Sequence, residues 1–425
     1  MLKPVATMSG QFASLSSVSH SPSGDWVALA GEARKEGREG ERGLVVLWSP
    51  ITGITRPLVS SPEKVTAVSF SSGGKYLLIG TDVASEAEVH LIDVQTGQDA
   101  IPVKKFKNGI KAGAVSKQAN RIAVSTDEGK ALAWNGGNST PILEFSDAAN
   151  VQAISFSPDG MKLAVVGCYH QPGPYGGKGW ASIDVIEIDI GKKTSCSVSS
   201  TKFITAVEFS RDGNELLVGT DTGYACGPHL LRLDSEDLRQ IARLDMDDQP
   251  PSYSYVSQVA FHPDGRRIFG VGGGSTNLCA GLVGRIRVWE RTANRKLYWV
   301  DVPSTATGLA FSPSGDRLVT VHKDGSAIAW EVDSHEPSGW AAAVPACLFV
   351  GNHQLLRAAS FSRDSDGHGR LIISGGITPD SGWYFEYKTR LTIRVSDSET
   401  LTGEVERICQ GSDLNETVIW FKEVK

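Results

Sequence analysis

The fifteen residues AISFSPDGMKLAVVG, 153–167, return in altered form along the chain. Variants are AVSFSSGGKYLLIG from 67, AVEFSRDGNELLVG from 206, QVAFHPDGRRIFGV from 258 and GLAFSPSGDRLVTV from 308. Aligned on the last residue before the turn, the series is His20, Phe70, Val115, Phe156, Phe209, Phe261, Phe311 and Phe361. The interval is about fifty residues, and a fixed period of that size is the mark of a repeat architecture. The first member (SVSHSPSGDWVALAG) and the third (GAVSKQANRIAVST) match least well, and the last, ASFSRDSDGHGRLIISGG, has extra residues in its turn.

The repeated stretch reads as strand, turn, strand. In Ser157-Pro158-Asp159-Gly160 the proline presets φ at the second position of a type I turn, and glycine suits the fourth. VQAISF before it is rich in β-branched and aromatic residues, and KLAVVG after it is almost wholly apolar, as in a strand covered on both faces. Each unit then offers a third strand (LVVLW, EVHLID, KALAW, DVIEID, HLLRLD, RIRVW, SAIAW, LTIRVS) and a weaker fourth such as KLYWV. One four-stranded sheet cannot bury both faces alone, whereas several stacked radially can. The expected fold is therefore all-β: a single β-propeller of four-stranded antiparallel blades spanning 14–408. The units lie near 14–58, 65–103, 108–145, 151–200, 204–244, 256–302, 306–344 and 356–408. Eight units imply eight blades, with seven blades plus an irregular segment as the alternative. Residues 1–13 are expected to supply the closing strand of the last blade. The C-terminal extension 409–425 contains TVIWFKEV, which alternates well enough to do that job instead.

The units resemble WD repeats, through the FSPDG-type turns and through third strands ending in Trp48, Trp134, Trp289 and Trp330. Asp93, Asp189 and Asp234 follow Ile or Leu at the equivalent place, and HKDGSAIAWEVD, 322–333, is the best match, with Asp324 at the family's structural Asp position. No Gly-His dipeptide opens a unit, and Trp-Ser, Trp-Asn and Trp-Glu stand where Trp-Asp is usual. The resemblance implies a scaffold that binds proteins, with the family's His–Asp–Trp hydrogen-bond network absent or partial in most blades.

Insertions fall after the second strand of five units, at 32–43, 168–180, 220–229, 272–284 and 377–390. Two blade-to-blade connections, 245–255 and 335–354, are also long. In an alternating blade all of these emerge on one face, and such a face of a repeat protein is commonly the binding side. Candidate contact residues there are Trp383, Tyr384, Phe385 and Tyr387, flanked by Lys388 and Arg390, in the composition of an interface hot spot. Tyr253 and Tyr255 beside Pro250-Pro251, and Tyr175 and Trp180 in a Gly-rich loop, are further candidates. The competing reading of these aromatics is that they fold back over a neighbouring blade.

Other chemistry finds little support. A formal charge of −6 over 425 residues argues against a nucleic-acid binder working through a basic field. No run of about 18 apolar residues exists, so a membrane-spanning helix is not expected, and MLKPVATMSGQFASLSS lacks the apolar core of a signal peptide. Six cysteines without a CxxC pair suggest reduced thiols in a cytoplasmic protein, the nucleus being the alternative. Cys168, Cys226 and Cys279, with His170 and His229, share one loop of successive units but contain no short ligand pair, so no metal or other cofactor is expected. GGKGW near Lys178 has the wrong spacing for a phosphate loop, VGGGST from 271 lacks the context of a dinucleotide fingerprint, and no Gly-x-Ser-x-Gly elbow occurs. The expected function is a non-enzymatic adaptor or complex subunit that binds protein partners through the insertion-rich face. The rival is a propeller enzyme or small-ligand binder with its site at the central channel, where Ser19, Ser69 and Ser155 are the available polar groups.

Overall fold

The computed structural model describes residues 2–34, 42–82, 86–116, 121–136, 138, 140–146, 150–170, 179–198, 203–221, 229–245, 253–275, 283–302, 304–332, 359–363, 368–374, 390–396, 399–410 and 416–423. Two units are distinguished: Met1–Thr276 with Leu282–Glu336, and Asn277–Gly281 with Pro337–Lys425.

The first unit is a seven-bladed β-propeller. Strand β1 (Leu2–Met8) precedes the first blade, β2 (Phe12–His20), β3 (Val27–Ala33), β4 (Gly43–Trp48) and β5 (Thr55–Ser61). The second blade is β6 (Val65–Phe70), β7 (Tyr76–Thr81), β8 (Ala87–Asp93) and β9 (Lys104–Phe106). The third is β10 (Ile110–Val115), β11 (Arg121–Thr126), β12 (Ala131–Asn135) and β13 (Leu143–Phe145). The fourth is β14 (Asn150–Phe156), β15 (Lys162–His170), β16 (Gly179–Glu187) and β17 (Lys192–Val198). The fifth is β18 (Phe203–Phe209), β19 (Glu215–Asp221), β20 (His229–Asp234) and β21 (Gln240–Asp245). The sixth is β22 (Tyr253–Phe261), β23 (Arg267–Ser275), β24 (Val283–Glu290) and β25 (Arg295–Val302). The seventh contains β26 (Ala306–Phe311), β27 (Arg317–His322) and β28 (Ala327–Val332), with β1 antiparallel to β28 as its outer strand. The first strands touch in the order β2, β6, β10, β14, β18, β22, β26 and back to β2. The ring is closed.

Seven blades replace the expected eight because the chain's first strand fills the outer place in the seventh sheet. The eighth repeat joins a different sheet, in the second unit. There β29 (Ala359–Arg363) and β30 (His368–Ser374) form the hairpin seen in the sequence. β31 (Arg390–Ser396), the presumed third strand, lies at the far edge beside β32 (Glu399–Gln410). The C-terminal strand β33 (Glu416–Glu423) pairs with β30 on one side and β32 on the other, giving a five-stranded order β29-β30-β33-β32-β31.

The propeller core consists of seven apolar layers, one at each blade-to-blade contact. Side chains alternate across a strand, so a central strand feeds both neighbours. In β3, Val27 and Leu29 pack toward the seventh blade while Ala28 and Ala30 pack toward the second. That double burial explains why the second and third strands read as continuous apolar runs.

The tight turn after each first strand has one mechanism. Ser21, Ser71, Ser116, Ser157, Ser210 and Ser312 each accept, through Oγ, the backbone N–H five residues on. The turn glycine, as at Gly160 with φ +73°, occupies a left-handed conformation that side chains disfavour. Every first strand of the ring also contains a bulge near its start. Ser16, Thr66, Lys111, Gln152, Thr205, Ser257 and Thr307 are inserted there, all polar and all half-buried, and β2 has a second bulge at the exposed Ala13.

Candidate functional site

Antiparallel order sends the first-to-second and third-to-fourth turns of every blade to one rim, and the remaining connections to the other. The short-turn rim is a tightly bonded surface. Asp93 Oδ1 accepts from the N–H groups of Gln95 and Thr96, and Asp234 Oδ1 from those of Glu236 and Asp237. These backbone donors, Thr96 foremost for Asp93 and Glu236 for Asp234, hold both carboxyls below the usual carboxylate range. The aspartates that end third strands are therefore turn caps. Cations bridge adjacent blades on the same rim: Arg121 reaches Gly160 O at 3.1 Å and Asp189 at 2.5 Å, Lys162 pairs with Glu236, and Arg232 reaches Arg291 O at 2.5 Å.

The opposite rim receives most of the longer connections of the ring, the exceptions being 94–103 between β8 and β9 and 136–142 between β12 and β13, which belong to the short-turn rim. β3–β4, β15–β16, β19–β20 and β23–β24 are all joined there, as are β21–β22 and the chain beyond β28. The bulged starts of the first strands surround the channel mouth on this rim. Thr66 Oγ1 donates to Ile110 O at 2.5 Å and Thr307 Oγ1 to Leu15 O at 2.8 Å, each crossing to the next blade. Lower in the channel, Ser17, Ser19, Ser155, Glu208 and Gln258 accept N–H groups of the following first strand. Ser19 and Ser155 thus tie blades together, while Ser69 is half-buried on β6.

Lys111 alone among the seven polar bulge residues carries a charge. Its Nζ donates to Asn150 Oδ1 at 2.6 Å and lies 3.5 Å from Asp127 Oδ1. A β-carbon built on Gly109 would sit 2.5 Å from Asp127 Oδ2 and 2.6 Å from Asp82 Oδ1, so carboxylates of the second and third blades converge over that glycine. Cys168, paired in register with Asn150, is buried, and burial pushes its thiol pKa up, which disfavours a reactive thiolate. Asn150, Lys111 and the two carboxylates form a compact mixed-charge constellation across three blades. It can orient a small polar ligand or a partner's charged group.

Of the residues expected to bind, Trp383, Tyr384, Phe385, Tyr387 and Tyr175 lie outside the described residues. Arg390 opens β31, a strand of the second unit. Trp180 stands opposite Tyr169 on the β15–β16 hairpin, and Tyr253 opposite Ser275 on β22–β23. Tyr255 is half-buried, and the close approach of its carbonyl to Gly272 leaves no room there for a β-carbon. Residues 271–275 of the VGGGST run are thus strand, paired with β22. Cys226 and Cys279 lie outside the described residues, and among those described no group of three His, Cys, Asp or Glu could hold a metal ion. The sequence reading missed Lys111, Asn150, Asp82 and Asp127; the recurring Thr-Asp pair closing second strands, 81–82 and 126–127, was the available signal. It also missed Trp299 on β25, 42% exposed, with the Arg285 and Lys296 cations over its ring.

Hydrogen bonding of the third-strand tryptophans differs between blades. In the seventh, Trp330 Nε1 donates to Thr320 Oγ1 at 2.9 Å, and Thr320 lies 2.9 Å from His322 Nε2. His322 Nδ1 is 3.1 Å from Ser304 O. Chemistry fixes the direction: Nδ1–H donates to the carbonyl, so Nε2 accepts the Thr320 hydroxyl. In the third blade Val124 holds the place of Thr320, and Trp134 Nε1 and Thr126 Oγ1 are buried without a partner. Thr320→Val should therefore lower unfolding free energy by about 2 kcal/mol, since it strands two buried polar groups while preserving shape. Urea denaturation measures it, and a cost below about 0.5 kcal/mol would show the chain contributes nothing net.

The chain matches no protein-family model and no curated protein sequence.

Proposed function

We propose that the chain is a non-enzymatic, WD-repeat-like scaffold that binds protein partners through its long-loop rim, acting as an adaptor or complex subunit. The observation that supports it is the asymmetry of the ring. One rim consists mostly of short, internally hydrogen-bonded turns, with 94–103 and 136–142 as its two longer connections, and the other receives the longer β3–β4, β15–β16, β19–β20, β21–β22 and β23–β24 connections. The Trp330–Thr320–His322 chain in the best-matching repeat supports the WD-like part of this reading. Loops on a rigid ring can diverge in sequence without disturbing the core, which suits selective recognition.

The test replaces 35–41, 222–228 and 276–282 in turn by short Gly-Ser linkers, with Ile51→Asp and Ile190→Asp on the short-turn rim as controls. Cross-linking and affinity capture from native extract should lose the same partner with at least one loop variant and retain it with both controls. Loss with the controls alone overturns the assignment of the rim. Trp383→Ala/Tyr384→Ala tests the second unit separately.

The Lys111 constellation favours one further reading, a small polar ligand at the channel mouth. A bound ligand raises apparent stability, so a melting shift of several degrees with a sugar or nucleotide, abolished by Lys111→Met, is the outcome that would prefer it.

A further inference from the structure

Three histidines lie in or beside the seventh blade: His262 and His322 are buried and His20 is half-buried. His20 occupies the last position of β2, where the other blades have Phe70, Val115, Phe156, Phe209, Phe261 and Phe311. Both its ring nitrogens are buried without a hydrogen-bond partner, and Asp316 and Arg317 of the seventh blade are the charges beside it. His262 occupies the turn position that is serine in all six other blades. Its Nε2 lies 2.8 Å from Gly315 O in the seventh blade's turn, and its ring meets Phe311 edge-on at 4.9 Å. The Asp264 backbone N–H donates to Nδ1 at 3.1 Å, a bond that requires the neutral ring, with the Asp264 carboxylate and Arg267 as facing charges. His322, fully buried inside the blade, accepts from Thr320 and has Asp324 as its charged neighbour. The turn at 312–317 thus lies between His262 of the sixth blade and His20 of the first, while His322 stands at the other end of β27.

We propose that the seam around the seventh blade is an acid-sensitive latch, in which protonation of His20, His262 and His322 releases β1 and β26–β28 ahead of the remaining blades. On His20 an added proton is an unpartnered charge near Arg317, on His322 it displaces the Thr320 hydroxyl, and on His262 it displaces the Asp264 N–H, the Asp264 carboxylate 2.9 Å from Nδ1 taking up part of that charge.

The sign follows from burial. Desolvation, the largest cause for all three, lowers their affinity for a proton in the folded state, for His20 from 6.5 to about 4. The open state binds more protons, so stability is full above pH 6.5 and is lost progressively as pH falls toward 4. His20 alone implies roughly a twentyfold loss of closure between pH 7 and pH 5.

Hydrogen exchange of the full chain, corrected for intrinsic rates, reads this directly. At pH 5 protection in β1 and β26–β28 should fall roughly twentyfold or more relative to pH 7, with a smaller change in β6–β16. His20→Phe and His262→Ser install the residues other blades use, and together they should remove most of the selective loss while leaving the pH 7 pattern intact. An equal loss in all blades, or an unchanged pH profile in His262→Ser and the double variant, overturns the latch. If the double variant does not fold, the wild-type profile and His262→Ser decide it.

Discussion

Deleting residues 1–9 is expected to unfasten the ring. β1 pairs along its length with β28, from Leu2 opposite Val332 to Met8 opposite Ala327. Its two buried side chains serve different layers: Leu2 packs in the layer between the sixth and seventh blades, Met8 in the layer between the seventh and first. Each contributes about 2 kcal/mol of apolar burial, and the lost ladder leaves β28 as an open edge. We expect a loss of at least about 5 kcal/mol, comparable to the whole net stability of many domains. Calorimetry should show a markedly lower melting midpoint, and light scattering should show self-association, because an uncovered strand edge templates pairing with another chain. A synthetic peptide of residues 1–10 should restore both. A truncated chain that stays monomeric and melts within a degree or two of the parent would mean that β1 is not what closes the ring.

The same strand shows where sequence reading stops. The hairpins were legible because their chemistry is local: a serine accepting the N–H five residues on, a glycine at positive φ, and apolar runs fed to both neighbours. Pairing between strands far apart in sequence leaves no such mark. LKPVATM and TVIWFKEV both look like strands, yet nothing in either says that one joins β28 and the other enters between β30 and β32. ASFSRDSDGHGRLIISGG does form a hairpin, so the eighth repeat was real as a motif and misleading as a blade. Its third strand is separated from its second by two other strands.

The site was less legible than the fold for a related reason. A polar residue near the start of a first strand reads as an ordinary alternation partner, whereas a bulge re-aims it. Lys111 belongs to one of the poorest repeats, GAVSKQANRIAVST and its lead-in, so it attracted no attention as a member of a ring. Conversely, Ser19 and Ser155 looked available for ligand and are occupied by backbone N–H groups of adjacent blades. Taken singly, His20 and His262 are ordinary polar residues beside a turn; what sets them apart is that six counterparts are apolar at the first place and serine at the second, and that both face the seventh blade.

Arg232→Ala is the second substitution with a large expected effect, and it probes cohesion between the fifth and sixth blades. The side chain is 6% exposed and its guanidinium forms a planar clamp on Glu215, with contacts at 2.8 and 3.0 Å. Its remaining nitrogen donates to Arg291 O at 2.5 Å and to Asn294 in the turn of the next blade. Truncation leaves a carbonyl, an amide oxygen and part of a buried carboxylate without donors. Arg291 still reaches Glu215 at 3.0 Å, which keeps that carboxylate from being wholly uncompensated. The expected cost is thus about 3 kcal/mol, the low end for breaking a buried ion pair. Arg232→Lys should recover little, because an ammonium cannot span both carboxylate oxygens and the neighbouring turn together. Arg232→Ala combined with Arg291→Ala should cost more than the separate losses added, since each arginine covers for the other at Glu215. Urea unfolding of the four proteins closes this cycle. Strict additivity would show that the two arginines act on separate targets and that Glu215 is not the hinge between them.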